Sequence, residues 1–538
     1  MGNADTSAVA GGAAWATAAI DSRRESIIVP TYLSPGIYME EVSSGSKPIE
    51  GVGTAVAAFV GFAASGPFNE PLLVTNWTQF VNTFGGFVEG SYLAHSVYAY
   101  FLNGGGVAYI VRISTGDDDQ PGELPTARAE LPPAEGDRVP FTVRAKNAGA
   151  DGDRISVQIE DASEPSDDTF KLIVRAPNQP EEVFDNVTLS KGPNNVATRV
   201  RAESQLIVLQ ETRGQTVMPA RTTVELAGGT ALPERIAVAP KDYIGDAADR
   251  TGFAGLEAID DITMLVVPDL MTAYQQGIVD EEGVKAVQLA MIAHCELMAN
   301  RVAVLDTPPG LNAQEVKAWR NDVTGYDSKF AAMYWPWIKV MDPVLGKAIF
   351  TPPSGAVAGI WARNDDTRGV HKAPANEVVR GALSLELQIT KGEHDQLNPD
   401  AVNCLRSFPG QGIRIWGART LSSDPEWRYL NVRRLFNFVE SSILNGTNWV
   451  VFEPNDPKLW DSVTRTVTMF LRRVWRDGAL FGRTQAEAFF VKCDEENNPP
   501  ENRDAGILTV EIGIAPVKPA EFVVFRISQF NGGAGVEE

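Results

Sequence analysis

Strand and helix patterns that alternate between residues 240 and 365 constrain this chain more than any other feature in it. Asp261–Val267 (DITMLVV), Val302–Leu305 and Ala332–Val340 are short runs that are apolar on both faces, as strands are where both faces are covered. Between them, Gly283–Arg301 places Val284, Val287, Ala290, Met291 and Leu297 at helical spacing, and Asn312–Asp322 reads as a second helix. Such alternation closes through right-handed crossovers into a parallel sheet with helices on both sides. Upstream, Thr54–Phe62 (TAVAAFVGF) and Val107–Ile113 have the same strand character. Helices are expected near 76–84 and 91–102, the second stopped by Asn103-Gly104-Gly105-Gly106.

Around this α/β centre the pattern changes twice. Residues 117–164 hold twelve acidic and five basic side chains, and short alternating runs such as Phe141–Ala145, Arg154–Ile159 and Phe170–Val174 predict small antiparallel strands. The span 117–232 is therefore expected to be an inserted, acidic, mostly β surface domain. Beyond residue 405, Asp424-Pro425 predicts a helix running to Asn445-Gly446, and Trp460–Asp477 predicts another. Ala486–Val491, Ile507–Ile514 and Glu521–Ile527 read as strands. The expected class is α/β (α+β overall) and multidomain. Its parts are a flexible tail (1–30), a first core segment (31–116), the insertion (117–232), the central α/β domain (233–405) and a C-terminal α+β module (406–538).

Charge and cysteine content narrow the function. The 538 residues carry 47 Lys and Arg against 69 Asp and Glu, a net charge of −22, which argues against a nucleic-acid binder or a polybasic membrane protein. Three scattered cysteines exclude a disulfide framework and suit reduced thiols in a protein that folds in a cytoplasm. No apolar run approaches the ~18 residues that a membrane-spanning helix needs. The run Ala8–Ile20 lacks the preceding positive residues of a signal peptide, since Arg23 and Arg24 follow it. A soluble protein is expected.

Catalytic patterns are weak. Phosphate-loop, nucleophile-elbow, zinc and calcium motifs are absent. Asp269, Asp306 and Asp342 each follow a predicted strand, where α/β proteins place ligands, so a metal-dependent hydrolase is the alternative reading. Each lies beside a proline, however, and capping a turn explains it as well. Asp269, His294 and Ser354 occur in one known order of a serine-protease triad. Yet His294 falls inside a helix and Ser354 looks like a helix N-cap. No catalytic, metal or cofactor residue is expected, and no cofactor.

Two other signals point to assembly. Residues 401–480 carry ten Arg and one Lys against seven acids inside the acidic chain. Arg465, Arg472 and Arg476 share one face of the predicted 460–477 helix, with Arg473 beside them and Arg433 and Arg434 on the helix before. Arginine suits bidentate pairing with carboxylates across an interface. The second signal is a pair of strand-like segments near the two ends, Ile37-Tyr38-Met39-Glu40-Glu41-Val42 and Phe522-Val523-Val524-Phe525-Arg526-Ile527, both attached through Pro or Gly joints. A strand on a flexible arm invites addition to a neighbour's sheet, and contacts that do not close build helical polymers.

At these residues the chain resembles the contractile tail sheath family of contractile phages and phage-tail-like injection systems. The resemblance is carried by Tyr32–Val42 (YLSPGIYMEEV), Gly51–Phe62, Phe84-Gly85-Gly86, Phe101–Arg112 (FLNGGGVAYIVR), Gly369–Glu377 (GVHKAPANE), Phe408–Ser422 (FPGQGIRIWGARTLS), Asn431–Leu435 (NVRRL), Val451–Trp460 (VFEPNDPKLW) and Ala515–Ile527 (APVKPAEFVVFRI). It covers about 30–115 and 240–530. It implies a non-enzymatic subunit that assembles in a bacterial cytoplasm and stacks as six-fold helical rings around an inner tube. Terminal arms would be exchanged between neighbours, and contraction from a metastable extended state would drive the tube through a target envelope. It further implies a central domain subtilisin-like in fold only, a variable outward-facing insertion at 117–232, and baseplate and tail-terminator partners, without nucleic acid and without membrane insertion. The six arginines become candidates for tube or intersubunit contact.

Overall fold

The computed structural model describes residues 48–526 except 114–125, 135, 137–138, 147–149, 167, 177–179, 191, 212–216, 230–237 and 344. The candidate arm segment Ile37–Val42 and the tail end from Ile527 lie outside the described residues.

Six strands form the parallel body of a nine-stranded sheet, in the order Val402–Phe408, Ala331–Trp335, Val302–Asp306, Met264–Val266, Val56–Gly61 and Val107–Arg112. Antiparallel strands finish both edges: Gly412–Ile415 and Glu377–Val378 on one side, Leu72–Val74 on the other. Successive side chains of a strand point to opposite faces, and here both faces are packed. Ala58, Val60, Leu265, Ala303 and Leu305 pack with Val284, Val287 and Met291 of helix Glu281–Met298. The alternate residues Ala57, Phe59, Met264, Val266, Val302 and Val304 pack with helices Leu93–Asn103 and Ser354–Arg368. Burial on both sides is why these strands read as continuous apolar runs.

Those last two helices touch at backbone distance. A Cβ on Gly359 would come within 2.3 Å of the Tyr100 carbonyl, and one on Gly355 within 2.4 Å of the Ser96 carbonyl. The four-residue spacing puts both glycines on the contact face of their helix.

Within 126–229 the described strands are all antiparallel and form two small sheets. Their apolar side chains, among them Phe141, Val143, Ile159, Phe170, Leu172 and Phe184, pack with Val196 and Val200 of helix Val196–Glu203 in a separate core. The C-terminal region pairs helix Leu430–Gly446 with helix Pro457–Arg476 and ends in a hairpin of Phe489–Lys492 and Glu511–Ile514.

Several boundaries differ from the sequence reading. The expected strand 332–340 is two strands: Ala331–Trp335 stays in the main sheet, while Ile338–Asp342 joins a three-stranded antiparallel sheet. Pro336 lies between them and has no N–H to donate to a ladder. The helix expected from Asp424 starts at Leu430. Thr420 N donates to the Arg428 carbonyl, Arg419 pairs with Tyr429 and Trp427 N donates to the Asp424 carbonyl, so the preceding residues form a turn folded back on 419–420 and do not begin the helix. Gln485–Ala488 is a helical turn before its strand. Residues 521–526 form no strand, contrary to the expectation for Glu521–Ile527.

Candidate functional site

The three aspartates do lie buried, and each is consumed by its own neighbours. Asp269 accepts hydrogen bonds from Phe62 N (2.7 Å), Tyr92 N (2.5 Å), Ser91 Oγ (3.0 Å) and Thr272 Oγ1 (3.0 Å). Burial pushes its carboxyl up to about 6, and the four donors oppose that rise. Asp306 accepts from Ser354 Oγ (2.5 Å) and Ser354 N (3.0 Å), and burial pushes it up to about 7. Asp342 contacts His95 Nε2 at 3.1 Å and accepts from Leu345 N at 2.9 Å. These carboxylates cap loops and helix starts in three different places. Among the described residues no group of three or more His, Cys, Asp or Glu is placed to hold a metal.

The triad order does not become a triad. Ser354 is the first residue of its helix and bonds Asp306. His294 meets the Arg301 guanidinium (3.1 Å), and burial, then that charge, lowers its imidazole to about 4. Asp269, His294 and Ser354 therefore have separate partners. Cys295 and Cys404 are buried thiols pushed up to about 12 by burial, which makes them poor nucleophiles.

The arginines divide into two groups. Arg433 and Arg434 are 2% and 4% exposed, so the expectation that they face a partner is corrected: they are spent inside the chain. Arg434 makes a two-pronged pair with Asp365 (2.9 and 2.6 Å) and donates to the Thr54 carbonyl (3.0 Å). Arg433 reaches Glu440 (2.9 Å) and Asn437 (2.7 Å) and lies over the rings of Phe330 and Trp427. Both sit on the buried face of their helix because the helix packs across the sheet domain there.

Helix Pro457–Arg476 behaves as its spacing predicts. Asp456 caps it by accepting from Leu459 N (2.9 Å), and Pro457 occupies its first turn. Leu459, Val463, Val467, Phe470, Leu471 and Val474 are buried, while Arg465, Arg472, Arg473 and Arg476 are exposed. Arg473 donates to the Ile49 carbonyl and Arg472 to Gln485 Oε1 (3.0 Å). Arg465 and Arg476 make no hydrogen bond or ion pair among the described residues. Met469 (41% exposed) completes the stripe.

The segment Phe522-Val523-Val524-Phe525-Arg526 lies open to solvent, its four apolar residues 67–82% exposed. Its root is pinned by Glu521, which accepts from Arg419 Nε (2.9 Å), Arg419 Nη2 (2.6 Å), Asn398 Nδ2 (2.8 Å) and Tyr429 Oη (3.3 Å). Sequence reasoning missed this clamp. A lone acid ahead of an apolar run was the available signal, but its partners lie 92 to 123 residues away. Among the described residues the hairpin Phe489–Lys492 with Glu511–Ile514 has no third strand, and Phe490 on it is 52% exposed.

Comparisons with known proteins converge on one group. Residues 251–421 match the phage tail sheath protein central domain, and residues 422–530 match the phage tail sheath C-terminal domain. A tail sheath protein of Burkholderia phage BcepMu is 24% identical over 517 residues, covering 91% of this chain and 95% of that one. The contracted PVC sheath of an extracellular contractile injection system shares the fold with a TM-score of 0.57, at 24% identity over 93% of this chain and 98% of that one. A chain of the six-fold symmetrised anti-feeding prophage baseplate gives 0.56, at 22% identity over 93% and 99%.

Proposed function

The chain belongs to the phage tail sheath family, and from that premise we propose that it is the structural subunit of a contractile sheath. Copies polymerise as six-fold helical rings around an inner tube. Contraction from a metastable extended state drives that tube through a target envelope. Assembly takes place in a bacterial cytoplasm, and baseplate and tail-terminator proteins close the two ends. Neither nucleic acid nor membrane insertion has a part. The role is mechanical, since Asp269, Asp306 and Asp342 are engaged in capping.

The observation that carries this reading is the exposed apolar segment 522–525 on a chain whose C-terminal hairpin has, among the described residues, two strands. Two strands alone are marginal, and an open edge accepts a further strand from outside. The segment Phe522–Ile527 of one copy, and Ile37–Val42 of another, supply such strands. Arg465, Arg472, Arg473 and Arg476 face the tube or an adjacent copy. The acidic span 117–232 faces outward as an insertion, and the central sheet is subtilisin-like in topology.

Negative-stain microscopy of the purified full chain tests the reading. Long, striated, hollow tubes are expected. Monodisperse monomers under varied salt, with both end segments intact, would overturn it. Removing 522–538 should leave a folded monomer and abolish tubes. If tubes persist, strand exchange through that segment is wrong.

A further inference from the structure

The root of the exposed tail forms one wall of a cleft of about 1080 Å3, whose other walls come from helix Lys391–Leu397, strand Val402–Phe408 and the loop after Gly369. Six cationic side chains and two carboxylates line it, in a chain whose net charge is −22. Glu521 already occupies Arg419, and Asp395 is paired with Lys391 (2.7 Å). Arg368, Arg406 and Lys518 make no ion pair among the described residues. A local excess of positive charge against the sign of the whole chain selects for an anionic occupant.

A second observation points the same way. His394 is 8% exposed and lines the cleft, yet its Nε2 has no hydrogen-bond partner among the described residues. The Nε–H of Arg406, on the strand that forms another wall, is also buried and without a partner among the described residues. Buried polar atoms are nearly always satisfied, so two of them on residues that line one cleft mark a missing ligand group. A guanidinium with a free edge is shaped for a carboxylate.

We propose that this cleft receives a carboxylate side chain from a second copy of the chain, held by Arg406 with His394 beside it. The proposal rests on the sheath reading, in which copies pack side by side. The cleft abuts the tail segment that such a neighbour takes up, and a neighbour with this composition is rich in carboxylates. The contact ties the root of the tail to the adjoining subunit. Force along the tail is then borne by an ion pair as well as by a strand ladder.

The test uses the full-length protein and tube formation followed by sedimentation. Arg406→Glu should raise the concentration needed for tubes at least about tenfold, because it sets a like charge against the incoming carboxylate. Arg406→Gln should do so more weakly. On the wild type, inorganic phosphate should suppress tubes more than chloride at equal ionic strength, and this excess effect should vanish in Arg406→Gln. That arm decides the matter if Arg406→Glu does not fold. Wild-type tubes accompanied by equally ready tubes of folded Arg406→Glu would overturn this inference alone. Phosphate that protects the monomer from heat but leaves assembly unchanged would also overturn it, making the cleft a small-anion site. Failure of the wild type to form tubes would defeat the sheath reading and this inference together.

Discussion

The carboxyl edge of the central sheet and the outer face of helix Pro457–Arg476 both carry charged side chains at regular positions, and they use them in opposite ways. At the sheet edge, Asp269 and Asp306 are buried and satisfied by partners from distant segments, and Asp342, at the end of a strand of the smaller antiparallel sheet, is buried against His95 in the same way. Beside the sheet, Asp365 is locked to Arg434 in the same manner. On the helix, Arg465 and Arg476 stand in solvent without a partner among the described residues. The first set holds one chain together. The second set is available to something else. Charge in a candidate cleft is thus a poor guide to chemistry until its partners are known.

The sharpest way to break this contrast is Arg434→Met. It leaves the Asp365 carboxylate, 4% exposed, without its counter-ion, and removing one partner of a buried pair costs about 3–5 kcal/mol. Chemical denaturation of the full chain reads that loss directly; a change below about 1 kcal/mol would place Asp365 in contact with water instead. Gly359→Ala comes next. The added methyl meets the Tyr100 carbonyl, and overpacking of this kind costs about 1–3 kcal/mol, visible as a lower denaturant midpoint with an unchanged slope.

Asp306 sharpens the comparison through pH. Its folded-state value of about 7 lies above the ordinary carboxyl value, so the folded chain binds the proton more tightly than the unfolded chain does. Its contribution to stability is fully present below the unfolded-state value and is lost as pH rises through about 7. Asp269, at about 6, adds to the same slope. Asp306→Asn imitates the protonated acid, with an amide that can donate to Ser354 Oγ. The variant should therefore compare better with wild type at pH 8 than at pH 5 in parallel urea titrations. An identical difference at both values would remove Asp306 from the account.

The smallest stability effect belongs to the open face. Arg465→Gln with Arg476→Gln should shift stability by no more than about 0.5 kcal/mol, as exposed substitutions do. Tube formation should weaken all the same and become less sensitive to salt. A large loss of stability would show that the face is used within the chain. Unchanged assembly at every salt concentration would show that it is not used between chains.

Much of the fold was legible in the sequence. The runs at Val56–Gly61, Met264–Val266 and Val302–Asp306 announce strands covered on both faces, and the spacing of Val463, Val467, Phe470 and Val474 announces the buried stripe that the structure contains. The resemblance to tail sheaths was legible too, because it resides in ordered local motifs. The break at Pro336 and the late start of helix Leu430–Gly446 were less legible, since each depends on which strand or bridge the neighbouring residues join. Arg433 and Arg434 look like surface residues by composition and are buried by tertiary contact.

By itself, then, the sequence determined what is periodic or contiguous: the parallel sheet, the amphipathic helix, the apolar segment 522–525 and the family. Only the tertiary structure decided which charges are spent and which are left open. Asp306 meets Ser354 across 48 residues, Asp365 meets Arg434 across 69, and Glu521 meets Arg419 across 102. Local periodicity reports which way a side chain points, whereas the partner it meets is set by how distant elements pack, and that partner decides whether a charge serves the fold or the assembly.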